Sequence, residues 1–267
     1  MNGMTAIDLG IAWQEFLTLC ALFAIRPLVM VGVLPATDEP ILTTTSRFQF
    51  SLVLAAFAAA GAPTAAVKSL DLWTIVTLVM REAFIGMVMG MVAGKVFWVA
   101  QSVGALVDNL AGYNNVQLLN PSSPEQSTPL ADLMLQLSAA VFFLLGGLMF
   151  IAGAVYESWT WWPVLQSTPA WPGWPVRNVG SGMDAMMSLV ASAALPILFL
   201  LTIVDLALGL VSRAAKGVDT APVATPLKAA TALLALMLFA SVFMKEIMGE
   251  FDLGDVFLFI RSSGARP

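Results

Sequence analysis

Histidine is absent from this 267-residue chain, which removes the commonest general base near neutral pH and the commonest zinc ligand together. Charge is also scarce: 11% of residues are Asp, Glu, Lys or Arg, where a soluble domain carries about 25%. A single cysteine, Cys20, leaves no disulfide to form within the chain. The net charge of −5 offers no basic surplus for a phosphate backbone, so nucleic acid is not expected as a partner. What fills the chain instead is apolar: 59% of residues are hydrophobic and the mean hydropathy is +0.86. This is the composition of an integral membrane protein, whose length is counted in apolar segments of about 20 residues. The expected fold is all-α, with kinked helices arranged as helical hairpins around a central polar loop. Neither a metal nor a cofactor is expected.

Six apolar runs are read, over residues 11–34, 48–60, 72–107, 130–155, 183–210 and 227–244, in one membrane domain spanning 1–267, with a tail at 245–267. The N-terminus lacks the basic start of a cleavable signal and is expected to be retained. Arg26-Pro27 interrupts the first run; the proline predicts a kink or an end, and the arginine needs a partner or the interface. Pro35 to Arg47 is turn-like. The second run is short for a full crossing, and Gly61-Ala62-Pro63 fits the apex of a shallow hairpin. The fourth run, Leu130 to Val155, is the cleanest spanning segment, although it carries Gly146, Gly147 and Gly153. Tyr156 to Gly182 holds five tryptophans and four prolines and is expected to be an interfacial loop at headgroup level. The fifth run contains Pro196 and Asp205, and is expected to break at the proline. Lysine and arginine are spread over loops that would alternate sides, so charge alone leaves the orientation undecided.

The third run is too long for one simple crossing. Gly86, Gly90 and Gly94 recur in it every fourth residue, a small-xxx-small pattern that lets a second helix approach closely. Arg81, Val88, Lys95, Ser102 and Asn109 form a drifting stripe on roughly the opposite side. Two readings fit Arg81, Glu82, Lys95 and Asp205: internal ion pairing or snorkelling, and the lining of a wet path.

Between the third and fourth runs lies the one stretch that is not apolar filler. It holds Gly104, Asp108, Asn109, Gly112, Asn114, Asn115, Gln117 and Asn120, followed by Pro121, Pro124 and Pro129. Glycine, Asn, Asp and proline each favour irregular backbone, for different reasons. A polar loop over 108–129 is therefore expected. A solvated connection and a loop folded back into a protein-lined cavity both fit. Gly112 is the position expected to need a positive φ or a close neighbour.

These marks, taken in order, resemble the T subunit of type III secretion export gates, the SctT/HrcT group related to the flagellar FliR. They are Glu82 with Gly86 and Gly90; Gly104-x-x-x-Asp108-x-x-x-Gly112 leading to Asn120-Pro121; the Gly146-Gly147 pair; Pro196; and LALGLVSRAAKGVDTAPVATPLK over 206–228, read as a motif loop with Arg213, Pro226 and Lys228. The likeness covers about Arg81 to Ala230. Leu148 departs from it, because relatives often carry histidine there. The resemblance implies a non-enzymatic, multi-pass subunit of the bacterial inner membrane, present as one copy among R and S subunits in a funnel-like gate. A U switch subunit would wrap the cytoplasmic side, a V subunit would lie below, and unfolded secreted proteins would pass through the centre. It also implies that Gly104 to Pro121 forms a loop in the closed pore. Two other classes are weighed. A small-molecule transporter or channel would place the same charges inside a bundle, but no second copy of the glycine stripe marks an internal repeat. An intramembrane protease would need a catalytic set, and Gly180-Ser181-Gly182-Met183-Asp184 misses the GxGD pattern by one residue.

Overall fold

The computed structural model describes residues 6–39, 41–63, 71–112, 128–165, 176–214 and 221–250, and among these every regular element is helical. The order is α1 (Ala6–Val33), a 3-10 turn (Pro35–Thr37), α2 (Thr44–Ala60), α3 (Leu72–Ala111), α4 (Pro129–Leu144), α5 (Gly147–Trp161), α6 (Val176–Ala214) and α7 (Ala221–Glu250). In lipid a chain must satisfy its backbone internally, and helices do so within one segment. Three helical stretches are long and apolar enough to cross a membrane: Trp13–Val33, Leu72–Ala111 and Met186–Ala214. A fourth crossing results if Pro129–Leu144 and Gly147–Thr160 are counted as one bent span.

Several boundaries differ from those read in the sequence. The run from Leu130 to Val155 is not one straight helix: Gly146 adopts φ 82° and stands before α5 as its N-cap. That left-handed conformation favours glycine, and it explains the break. Gly147 is needed beside it, because a Cβ there would overlap the Phe142 ring. Tyr156 to Trp161 belong to α5 and residues 176–182 to α6, so the expected interfacial loop shrinks to 162–175, of which 166–175 lie outside the described residues. Pro163 lacks an N–H and biases the preceding residue away from helix; Trp162 accordingly sits at φ −134° and ψ 74°. α1 runs through Pro27 and α6 through Pro196 without ending. α2 starts before its apolar run, at a Thr43 cap whose side chain accepts from the Ser46 N–H.

The chain divides into two compact units, one reaching to Gly94 and resuming at Phe142, the other taking Lys95–Val141 and the residues of α6 and α7. In the first, α1 supplies Leu19, Leu22, Phe23, Met30 and Val31 to the interior, α2 supplies Leu54, Ala55 and Ala59, and α5 supplies Ile151, Val155 and Trp159. Thr37 turns back to donate to the Val31 and Leu34 carbonyls, closing the end of α1. The Tyr156 hydroxyl donates to the Leu54 carbonyl at 3.1 Å. In the second unit the rear of α3 is the axis. Val96 and Ala100 pack with Met134 of α4; Val99 and Val103 pack with Val190 and Ala194 of α6. Val107 and Ala111 meet Leu130, Ile197, Leu201, Ala232 and Ala235. The 3- and 4-residue spacing of these positions is the buried stripe of an α-helix.

Candidate functional site: two capped helix ends along α3

The first unit carries a buried knot of charge. Arg26 of α1 and Glu82 of α3 are both fully buried, and the guanidinium Nε and Nη2 of Arg26 each lie 2.7 Å from Glu82 Oε2. Arg26 Nη1 donates to Ser158 Oγ at 2.9 Å and Nη2 to the Trp162 carbonyl at 3.0 Å. Ser158 passes its own proton to the Val155 carbonyl. Arg81 Nη2 holds the other oxygen of Glu82 at 3.1 Å and donates to the Val164 carbonyl at 2.5 Å. Trp162 is the cap residue of α5. Two guanidinium groups thus gather at the carbonyl end of that helix, where positive charge is favoured and the last carbonyls lack helical partners. Gly86 and Gly90 make this possible. A Cβ on Gly86 would overlap the Arg26 carbonyl oxygen, and one on Gly90 would lie 2.8 Å from the Met30 carbonyl oxygen and 2.9 Å from Val33 Cβ. The backbones of α1 and α3 touch there.

The second unit solves the opposite problem. Asp108 of α3 is fully buried, and its Oδ2 accepts from the Leu130 N–H at 2.8 Å and the Ala131 N–H at 3.3 Å. These are free donors of the first turn of α4, and a carboxylate there also meets the positive end of the helix dipole. Gly104, one turn earlier, lets the two backbones meet: a Cβ would stand 2.6 Å from both Ala131 Cα and the Leu130 carbonyl oxygen. The Gly104-x-x-x-Asp108 spacing is therefore a contact and a cap, one helical turn apart. Asp108 Oδ1 is buried with no hydrogen-bond partner among the described residues. The chain leaves α3 at Gly112, whose φ is 85°. That is the positive φ expected of Gly112; among the described residues a Cβ there would meet nothing within 4 Å.

The remaining sequence-selected residues fall in several places. Asp108 lies in helix rather than in the polar loop expected to begin there, because its side chain is occupied in capping α4. Asn114, Asn115, Asn120 and Pro121 lie outside the described residues. Gly94 is buried and Lys95 half-buried. Asp205 is not buried: its side chain is 46% exposed and pairs with Lys228, whose Nζ lies 2.5 Å from Asp205 Oδ1. Arg213, Pro226 and Lys228, grouped in the sequence as a loop, lie on helices, Arg213 in the last turn of α6 and the other two in α7. Ser158 and the α5 carbonyls were not visible as partners from sequence. The usable signal was an arginine within one apolar run and a glutamate within another, each requiring a counter-charge.

Among the described residues no group of three or more metal-ligating side chains occurs. An all-α, multi-pass membrane protein whose buried charges cap helix ends is the class these features define. The family described as bacterial export proteins, family 1, matches residues 17–254. Yop proteins translocation protein T of Yersinia pestis is 30% identical over 176 residues, covering 66% of this chain and 67% of that protein. Secretion system apparatus protein SsaT of Salmonella typhimurium is 27% identical over 175 residues, covering 66% and 67%. The flagellar biosynthetic protein FliR of Bacillus subtilis is 25% identical over 178 residues, covering 66% and 68%. The chain belongs to this family of bacterial export proteins. It is a multi-pass protein of the bacterial inner membrane, with a structural role in the type III export apparatus.

Proposed function

We propose that this chain is the T-type subunit of a type III export gate, and that the segment between α3 and α4 closes the conduit for unfolded secreted proteins. One observation carries the reading. Asp108 ties the end of α3 to the start of α4, so the 15 residues from 113 to 127 leave and return at one anchored place. A segment held in this way can be displaced and restored without moving the helices that carry it. Gly104, Asp108 and Gly112 serve as its anchor, with Asn114, Asn115, Asn120 and Pro121 in the segment itself. The Arg26–Glu82–Arg81 knot is structural in this reading, and Gly86, Gly90 and Gly94 are packing positions. No step requires a catalytic residue, and the chain acts without enzymatic chemistry. Its partners are R and S subunits around a single copy of this chain, a U switch subunit and a V subunit.

The test has two arms. Native mass spectrometry of gently extracted material should return one copy of this chain in a hetero-oligomer; a well-behaved monomer or homodimer overturns the assignment and favours a transporter. Deleting Asn114 to Asn120 should leave the assembly intact while making the membrane leaky to ions and small solutes. An intact assembly that stays tight returns the segment to a plain connector.

A further inference from the structure

The buried stripes of three helices in the second unit run out at one place. Val107 and Ala111 of α3, Ile197 and Leu201 of α6, and Ala232 and Ala235 of α7 share one apolar cluster. Asp205 stands four residues beyond Leu201, and Lys228 four residues before Ala232. Both positions continue the same helical faces by one turn. The two side chains meet there, with Lys228 Nζ 2.5 Å from Asp205 Oδ1. The same Nζ donates to the Leu110 carbonyl at 3.5 Å.

Leu110 belongs to the last turn of α3, which ends at Ala111 before Gly112 takes φ 85°. A carbonyl in that turn has no later N–H of its own helix to accept from, and the negative end of the helix dipole favours a cation. Lys228 supplies the donor and the charge together. An ammonium is a compact charge on a flexible four-carbon stem, so its place depends on what holds it. Asp205 holds it from α6, and the seats of Ala232 and Ala235 fix where the stem starts on α7. The Lys228 side chain is 19% exposed and that of Asp205 46%, so the pair is a weak fastener taken alone. Its distinction is that the ammonium ends on the carbonyl end of α3.

The segment between α3 and α4 is therefore held at both ends by side chains. Asp108 holds its return, at the first amides of α4. Lys228 holds its departure, two residues before Gly112. The first contact joins α3 to α4, whereas the second ties the departure point to α6 and α7.

We propose that Lys228 is a positioning residue for closure, which sets the carbonyl end of α3 with Asp205 as its strut and so couples α6 and α7 to the segment leaving at Gly112. The inference rests on the export-gate reading above. A shift of α6 against α7 withdraws the ammonium, and the end of α3 loses its cap while Asp108 keeps the return in place.

The test is the conductance of the purified complex in a planar bilayer at equal complex content, with deletion of Asn114 to Asn120 run beside the variants. Lys228→Met removes the ammonium. Combining it with Asp205→Asn also removes the carboxylate left behind, so that no lone charge is present. Both should raise the current about two- to fivefold, the change in open population expected when a helix end loses its cation. Lys228→Arg keeps the charge and its donors and should restore near wild-type current. Asp205→Asn leaves Lys228 its carbonyl and should raise the current less than Lys228→Met does. A double variant as tight as wild type overturns the positioning role. Equal currents from Asp205→Asn and Lys228→Met overturn it as well, by giving the role to the pair, as does a Lys228→Arg complex as leaky as Lys228→Met. A double variant absent from the complex also overturns it, because the pair is then a requirement of assembly. If the deletion stays tight in an intact complex, the closure reading fails and this inference with it; a leaky deletion beside a tight double variant fails the inference alone.

Discussion

The two capped helix ends solve one physical problem with opposite charges, and they differ in how completely they solve it. At the carbonyl end of α5, Arg26 and Arg81 supply donors, while Glu82 is held on both of its oxygens. At the amide end of α4, Asp108 supplies one oxygen to two N–H groups and keeps the other buried, with no partner among the described residues. In each case a glycine one turn or less away removes the Cβ that would hold the backbones apart. In the first arrangement both carboxylate oxygens are held, and its members are reached from α1, α3 and α5 together, so it behaves as a frame. The second is one-sided and joins only α3 to α4. A contact with an unsatisfied acceptor is the cheaper of the two to release, and it anchors the segment that the functional reading assigns to closure.

Breaking the frame should have the largest effect. Glu82→Ala leaves the buried Arg26 guanidinium and the partly buried one of Arg81 without their shared carboxylate, and removing one partner of a buried pair costs about 3 to 5 kcal/mol. The chain should then be lost from the complex, as measured by its yield in purified assemblies. Yields equal to wild type would mean that the knot is no frame.

Gly86→Leu comes next. It forces a branched side chain into the Arg26 carbonyl, and Gly90→Leu does the same against Met30 and Val33. By analogy with overpacked cores, each should cost about 1 to 3 kcal/mol, read as a lower melting temperature of the extracted complex. Gly112→Leu offers a contrast at a glycine whose Cβ would meet none of the described residues, where any penalty they set comes from φ alone.

Asp108→Ala strips the acceptor from two buried donors, at about 1 to 3 kcal/mol. Asp108→Asn keeps a side-chain oxygen in place and should cost less. Equal losses from Ala and Asn would mean that charge at the helix end, rather than the hydrogen bonds, holds the clasp.

The smallest effect marks the limit of the comparison. Arg47 and Asp38 pair at 2.8 Å, but Asp38 is 70% exposed. With a similar distance and different burial, Arg47→Ala should cost below about 1 kcal/mol. A larger loss would show that distance rather than desolvation sets the scale in this protein.

The helical class was legible in the sequence because a bilayer leaves few alternatives: long apolar runs with few charges must close their hydrogen bonds along one segment. Where the runs stop was less legible. Gly146 and Gly147 were visible, but whether a glycine pair packs against a neighbour or turns the chain depends on what stands beside it, here the Phe142 ring. Pro27 and Pro196 left a kink and an end both open for a related reason: a proline removes one hydrogen bond, and neighbours decide whether the helix ends, which neither α1 nor α6 does there. At the site, the small-xxx-small spacing pointed to close approach at Gly86 and Gly90, and α1 comes that close. The pairing of Arg26 with Glu82, 56 residues apart, was not readable, because helical periodicity orders residues on one helix and says nothing of which helix lies opposite. The capping role of Asp108 was hidden in the same way, since its partners lie 22 and 23 residues downstream.

Ionic conductance of the purified complex in a planar bilayer, at equal complex content, tests most directly whether the segment anchored by Asp108 closes the conduit. Gly112→Asp and Asp108→Ala are expected to assemble normally and to carry current well above wild type, since a closed state favoured by only a few kcal/mol opens appreciably when about 1 to 3 kcal/mol is removed. Currents equal to wild type from both variants, in complexes of unchanged composition, would contradict it.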